Sequence, residues 1–275
     1  MNLKALQDTP PWDWPEGTGK ALLDILRTDR PPESDLLLAT ELAGDFTVVN
    51  DELVDAMLSI LHGDNSEQVR GRAAISLGPV LEHVDCEGLE DADDLPIAER
   101  TFHEIQESLR SLYRDAKVPT EVRRRILEAS VRAPQDWHRD AVRAAYSSDD
   151  EAWRLTAVFC MRFVRGFDEQ ILEALDSTNL AIHCEAVLAA GNWAVDAAWP
   201  HVAALVTLGE TDKQLLLAAI DAAASIRPHE AAELLNDLAD SDDEDIVAAV
   251  DEAMAMAEGA DGADDDFDGD DDSLH

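Results

Sequence analysis

The stretch DNSEQVRGRAAISLG, Asp64 to Gly78, decides the fold because weaker copies of it return along the chain. Aligned on Val69 and Arg70, the copies are EVRRRILEASV (Val122, Arg123), AWRLTAVFCMRF (Trp153, Arg154), AIHCEAVLAAGNW (Ile182), QLLLAAIDAAASI (Leu215) and DIVAAVDEAMAM (Ile246). SDLLLATELAG near the start contributes Leu36 and a Gly44 that falls one residue early. The anchors Val122, Trp153, Ile182, Leu215 and Ile246 are 31, 29, 33 and 31 residues apart. A period near thirty in helical sequence is the signature of stacked helix pairs.

A second amphipathic run precedes each anchor: ELVDAMLSIL, RDAVRAAY, EQILEAL, HVAALVTL and AAELLNDLA. Apolar residues recur there at helical spacing, as in Leu53, Met57, Ile60 and Leu61. Polar turns such as GDNSEQ and DSTN join the runs and offer side chains to cap the next helix. In the opening stretch Val69 starts a buried stripe, Ala73 and Ala74 let neighbouring helices approach, and Leu77 continues the stripe. Gly78 is expected to relax the helix near its end and Pro79 to kink or stop it. Arg70 is expected to pair with an acidic group of an adjacent turn or repeat. The predicted fold is all-α: an α-solenoid, a right-handed superhelix of about seven antiparallel pairs.

The turn-Val-Arg-Ala-Leu-Gly framework resembles HEAT repeats, in particular the short-period repeats of phycobilisome-lyase-like HEAT proteins. The resemblance covers residues 19–257. Its arginine survives at Arg70, Arg123 and Arg154 and gives way to His183, Leu216 and Val247 later. It implies a curved scaffold that presents a concave surface to a protein partner, read here as non-catalytic. Its alternative implication is a lyase-like or accessory factor for a cofactor-carrying or modified protein. The HEAT-repeat hydroxylases that act on deoxyhypusine hold iron through His-Glu pairs; only His103-Glu104 and His229-Glu230 occur here, at non-equivalent places, so that site does not carry over.

Flanking segments complete the organisation. Residues 1–18 hold PPWDWPEG, whose Trp12 and Trp14 are expected to cap the first pair. An acidic insertion, 83–99, interrupts the repeat, because Val69 to Val122 spans 53 residues; a longer helix, 97–114, should follow it. Residues 258–275 are apolar-poor and like-charged, which predicts a disordered tail. Asp264, Asp266, Asp268, Gly269 and Asp270 match the first half of a calcium loop without its closing Glu or second helix.

The net charge of −39 argues against nucleic acid and anionic membrane as partners, since both are phosphate surfaces. Lysine is confined to Lys4, Lys20, Lys117 and Lys213. Between Ile97 and Gly166 the balance shifts to 13 basic against 11 acidic residues. That Arg-rich centre reads either as salt bridges that stiffen the stack or as a patch for an acidic peptide, the chain's own tail among the possibilities. Arg123, Arg124, Arg125, Arg132 and Arg139 are the candidate partner-binding residues. No catalytic residue, cofactor site or metal site is assigned: P-loop, GxSxG, HExxH and CxxC motifs are absent. Three spaced cysteines and the lack of a signal-peptide core predict a cytoplasmic chain, expected to be monomeric.

Overall fold

The computed structural model describes residues 2–88, 95–208 and 211–264. Among the described residues the regular structure is helical throughout, with no strand. The chain divides into two compact units, Met1–Arg143 and Ala144–His275.

The first unit contains α1 (Leu3–Gln7), α2 (Thr18–Leu26), α3 (Glu33–Ala43), α4 (Asp51–His62), α5 (Glu67–Ser76), α6 (Gly78–Glu87), α7 (Glu99–Arg114) and α8 (Thr120–Ser130). The division falls inside α9 (Asp136–Tyr146). The second unit contains α10 (Glu151–Cys160), α11 (Asp168–Leu175), α12 (Leu180–Asn192), α13 (Trp199–Thr207), α14 (Lys213–Ile226), α15 (Pro228–Leu235) and α16 (Glu244–Asp264).

Short turns close each pair, so α2 packs on α3, α4 on α5 and α7 on α8; α11 packs on α12, α13 on α14 and α15 on α16. Second helices then stack on second helices: α3 on α5 and α5 on α8 in one unit, α10 on α12, α12 on α14 and α14 on α16 in the other. First helices also meet their successors, as α2 does α4 and α4 does α7. This side-by-side stacking is an α-solenoid, in which no pair hides its apolar face alone.

Local chemistry sets the helix starts. Asn50, Ser66, Asp150, Asn179 and Asp212 each accept a backbone N–H of the first turn that follows. Ser66 lies in the expected GDNSEQ turn and Asn179 in DSTN, while Asn50, Asp150 and Asp212 cap in the same way, and each satisfies a donor that the helix leaves without a partner. The stripe residues Val69, Ala73, Ala74 and Leu77 are buried, as are the anchors Val122, Ile182 and Leu215.

The opening stretch differs from its sequence reading in two places. Helix α5 ends at Ser76, and Gly78 and Pro79 open α6 instead of closing α5. Proline is accommodated in a first turn because the N–H it lacks would have no intrahelical acceptor there. Arg70 pairs with no carboxylate through its Nε, which donates to the Leu61 carbonyl at 2.8 Å and so caps the end of α4. A carbonyl freed at a helix C-terminus is the nearer acceptor for a cation in that position.

The expected insertion begins as helix: α6 extends through Glu87, Gly88 turns the chain at φ 77°, and 89–94 lie outside the described residues. The long helix starts at Glu99. At the N-terminus, Trp14 packs against the core and its Nε1 donates to the Leu6 and Thr9 carbonyls at 3.0 and 2.9 Å. Trp12 faces solvent, 78% exposed. At the other end α16 continues to Asp264, past the boundary expected at 257, and the rest of the acidic tail with its half calcium loop lies outside the described residues.

Candidate protein-binding face

Small residues set how closely the second helices approach. A Cβ on Gly44 would lie 2.3 Å from the Ser76 carbonyl oxygen, and one on Gly191 would lie 2.9 Å from the Ala222 Cα. The repeated glycine therefore permits close contact between successive second helices. At Gly78 the neighbour is a side chain: Arg132 Cδ passes 2.8 Å from where a Cβ would stand, on its way to an ion pair with Glu82 of α6.

On α8 the three consecutive arginines have different roles. Arg124 is 7% exposed. Its Nε and Nη2 donate to Glu121 at 2.9 and 2.7 Å, and its Nη1 donates to Glu128 at 2.7 Å. Arg125 shares the same acceptors, with Nε on Glu121 at 3.0 Å and Nη1 on Glu128 at 2.8 Å. Two carboxylates one turn either side of a guanidinium suit its planar fork, and burial strengthens such charge-assisted bonds. The hydrogen bonds from Arg124 hold the Glu121 carboxyl below its ordinary value, against a smaller opposing effect of burial. Arg123 is half-buried, and its Nε is buried without a hydrogen-bond partner.

Arg125 leans from α8 across Gly71 of α5, where a Cβ would meet its Cγ at 3.3 Å. Beside this crossing lies a groove of about 460 Å³ lined by Glu67, Gln68, Gly71, Arg72 and Ile75 from α5 and by Glu121 and Arg125 from α8. Arg72 in turn reaches Glu41 of α3 at 3.5 Å. The second-helix face of the first unit is thus a ladder of alternating charge around a half-apolar groove.

Of the five arginines expected to bind a partner, the structure brings Arg124 and Arg125 together and gives only Arg125 to the groove. Arg132 is directed to α6, and Arg139 is exposed on α9. Sequence reasoning missed Arg72, Glu41, Glu121 and Glu128. The last two were legible, since they stand three residues before and four after Arg124, which is one helical turn in each direction. Arg72 and Glu41 meet only across a helix joint.

Among the described residues no group of three or more His, Cys, Asp or Glu side chains is placed to hold a metal ion. His103 approaches Glu99 at 3.6 Å on its own helix, and His229 lies on α15 in the other unit. Cys160 and Cys184 are buried, and Cys86 is exposed. Among the described residues no helix is long and apolar enough to cross a membrane.

No family model matches the chain, and no curated protein matches it either. Solved structures do. Human deoxyhypusine hydroxylase in complex with glycerol is 16% identical over 88% of this chain and 96% of its own, with a TM-score of 0.39. One engineered protein is 17% identical over 94% of this chain and 78% of its own, TM-score 0.42. A second is 20% identical over 94% and 98%, TM-score 0.32. The likeness is one of all-helical repeat folds. One of these neighbours is named as an enzyme, so an all-helical repeat fold is no ground for the expectation that the chain is not an enzyme, and that expectation is withdrawn. That expectation came from missing sequence motifs, and a catalytic set assembled across helices leaves no contiguous motif to find.

Proposed function

We propose that the chain is a HEAT-like repeat protein that binds a protein partner along the α5–α8 groove of its first unit. The observation that carries this reading is the groove itself. It pairs an apolar floor at Ile75 with two half-exposed cations, Arg72 and Arg125, set among carboxylates. A polypeptide segment with an apolar anchor and charges of both signs is complementary to such a surface. Phosphate-rich nucleic acid and anionic membrane are not, because Glu67, Glu121 and Glu41 repel them. The earlier idea of a purely acidic peptide is narrowed accordingly, since Glu121 and Glu128 already compensate Arg124 and Arg125. In this reading the protein acts as a cytoplasmic monomer.

A photo-crosslinking residue at the exposed Gln68 tests it, with the exposed Glu104 of α7 as control. Partner adducts should form from position 68 and not from 104, and charge reversal of Arg72 and Arg125 together should abolish them. Adducts that form equally from both positions, or that survive the double reversal, would remove the groove as the binding face.

A further inference from the structure

His183 stands in the first turn of α12 and His201 in the first turn of α13, both in the second unit and both half-buried. Their Nε2 atoms are 2.7 Å apart, and the rings meet edge to face with centroids 4.9 Å apart and planes at 66°. A hydrogen bond between two imidazoles needs a proton on one Nε2 and a lone pair on the other, so at least one ring is neutral. Neutral imidazole is the metal-binding form of histidine. Cys184 takes no part: its Sγ faces the Gln214 carbonyl of α14 at 3.9 Å.

The geometry points to a two-imidazole site for a borderline divalent transition-metal ion, of the zinc and copper class, held between Nε2 of His183 and Nε2 of His201. Each ring is carried by a separate packed helix, and the two Nε2 atoms converge on one point. An ion bonded to both at about 2.0–2.1 Å needs the nitrogens about 2.9 Å apart in square-planar geometry and about 3.3 Å apart in tetrahedral geometry, so the 2.7 Å between them must widen as the ion enters. The ring that holds its proton on Nε2 shifts it to Nδ1, so ligation of the neutral pair needs no net proton loss. Water, or a donor from a bound partner, fills the remaining positions. The site differs in kind from the rest of this acidic surface. Carboxylates gather hard cations such as magnesium without selectivity, whereas paired imidazoles select zinc or copper over them.

The test is titration of the full-length protein with Zn²⁺ at pH 7.5 in excess Mg²⁺, which occupies the carboxylates. The expected result is one site that weakens by more than about tenfold in His183→Gln and in His201→Gln, since losing a ligand costs at least what losing a ligand's hydrogen-bond partner does. Unchanged Zn²⁺ affinity in both variants overturns the site. Glutamine preserves bulk and polarity; should either variant nonetheless unfold, the wild-type Cu²⁺ complex gives an independent reading. Its electron paramagnetic resonance spectrum should show coupling to two nitrogens, and a spectrum without it overturns the proposal.

Discussion

Two helix joints, one in each unit, solve the same packing problem by opposite chemistry. Between α5 and α8, Gly71 makes room for the long side chain of Arg125, and next to this joint Gly78 at the start of α6 does the same for Arg132, just past α8. Nearby, Arg124 is buried between two carboxylates. His138, 1% exposed, accepts the Gln135 N–H at Nδ1 at 2.8 Å and meets Ser130 Oγ through Nε2 at 3.0 Å. Between α12 and α14, Gly191 lies directly on Ala222, and the face of α14 buries Ala218, Ala219, Ala222 and Ala223. The first joint depends on charge and protonation. The second depends on volume; the exposed ion pairs of α14 lie at its other neighbour, where Lys213 stands 2.7 Å from Asp243 and Asp245 at the start of α16.

Acid should separate the two most strongly. Burial pushes the His138 pKa down to about 4, well below the roughly 6.5 of an unfolded histidine. The fold keeps the ring neutral, so its contribution is complete above the unfolded value and is lost as pH falls from there toward the folded one. The loss amounts to about 3 kcal/mol. Urea unfolding of wild type and His138→Gln at pH 7 and pH 4.5 isolates it, because the many surface carboxylates titrate alike in both. If the stability gap between them does not narrow at low pH, the first joint is not the acid-sensitive one.

Removing a charge from the same joint comes next. Glu128→Ala removes the acceptor of Arg124 Nη1 and of Arg125 Nη1 and should cost about 2 kcal/mol, within the range for hydrogen bonds to buried charges. Chemical denaturation measures it, and a loss below a few tenths would mean that the remaining acceptors suffice.

A single type of substitution then contrasts the joints directly. Gly191→Ala sets a Cβ against the Ala222 backbone and should lose about 1–2 kcal/mol, overpacking outweighing the gain in helix propensity. Gly71→Ala meets only the flexible Arg125 stem, so the propensity gain of up to ~1 kcal/mol should leave it neutral or slightly stabilised. Equal melting-temperature shifts in the two variants would dissolve the distinction. The smallest effect is expected at the exposed pairs of α14: Lys213→Ala should leave the melting temperature unchanged at high salt, because exposed ion pairs are screened.

The fold was legible because its signals are local. The period near thirty, the apolar stripe through Val69 and its copies, and the caps at Ser66, Asn179 and Asp212 all act within a turn or two of their own position. The bracket of Glu121 and Glu128 around Arg124 belongs to the same class. The sequence pattern alone misassigned Gly78 and Pro79, since a proline signals a boundary without saying whether a helix ends or begins there.

What the sequence by itself determined is the repeating helix pair, its apolar face and its capped starts. Tertiary structure alone decided which side chains meet between helices: Arg72 with Glu41, Arg132 with Glu82, Gly191 with Ala222, His183 with His201. The physical reason is that these encounters depend on how far one packed helix is displaced and tilted against the next. The summed bulk of many buried side chains sets that displacement, and no single spacing along the chain records it.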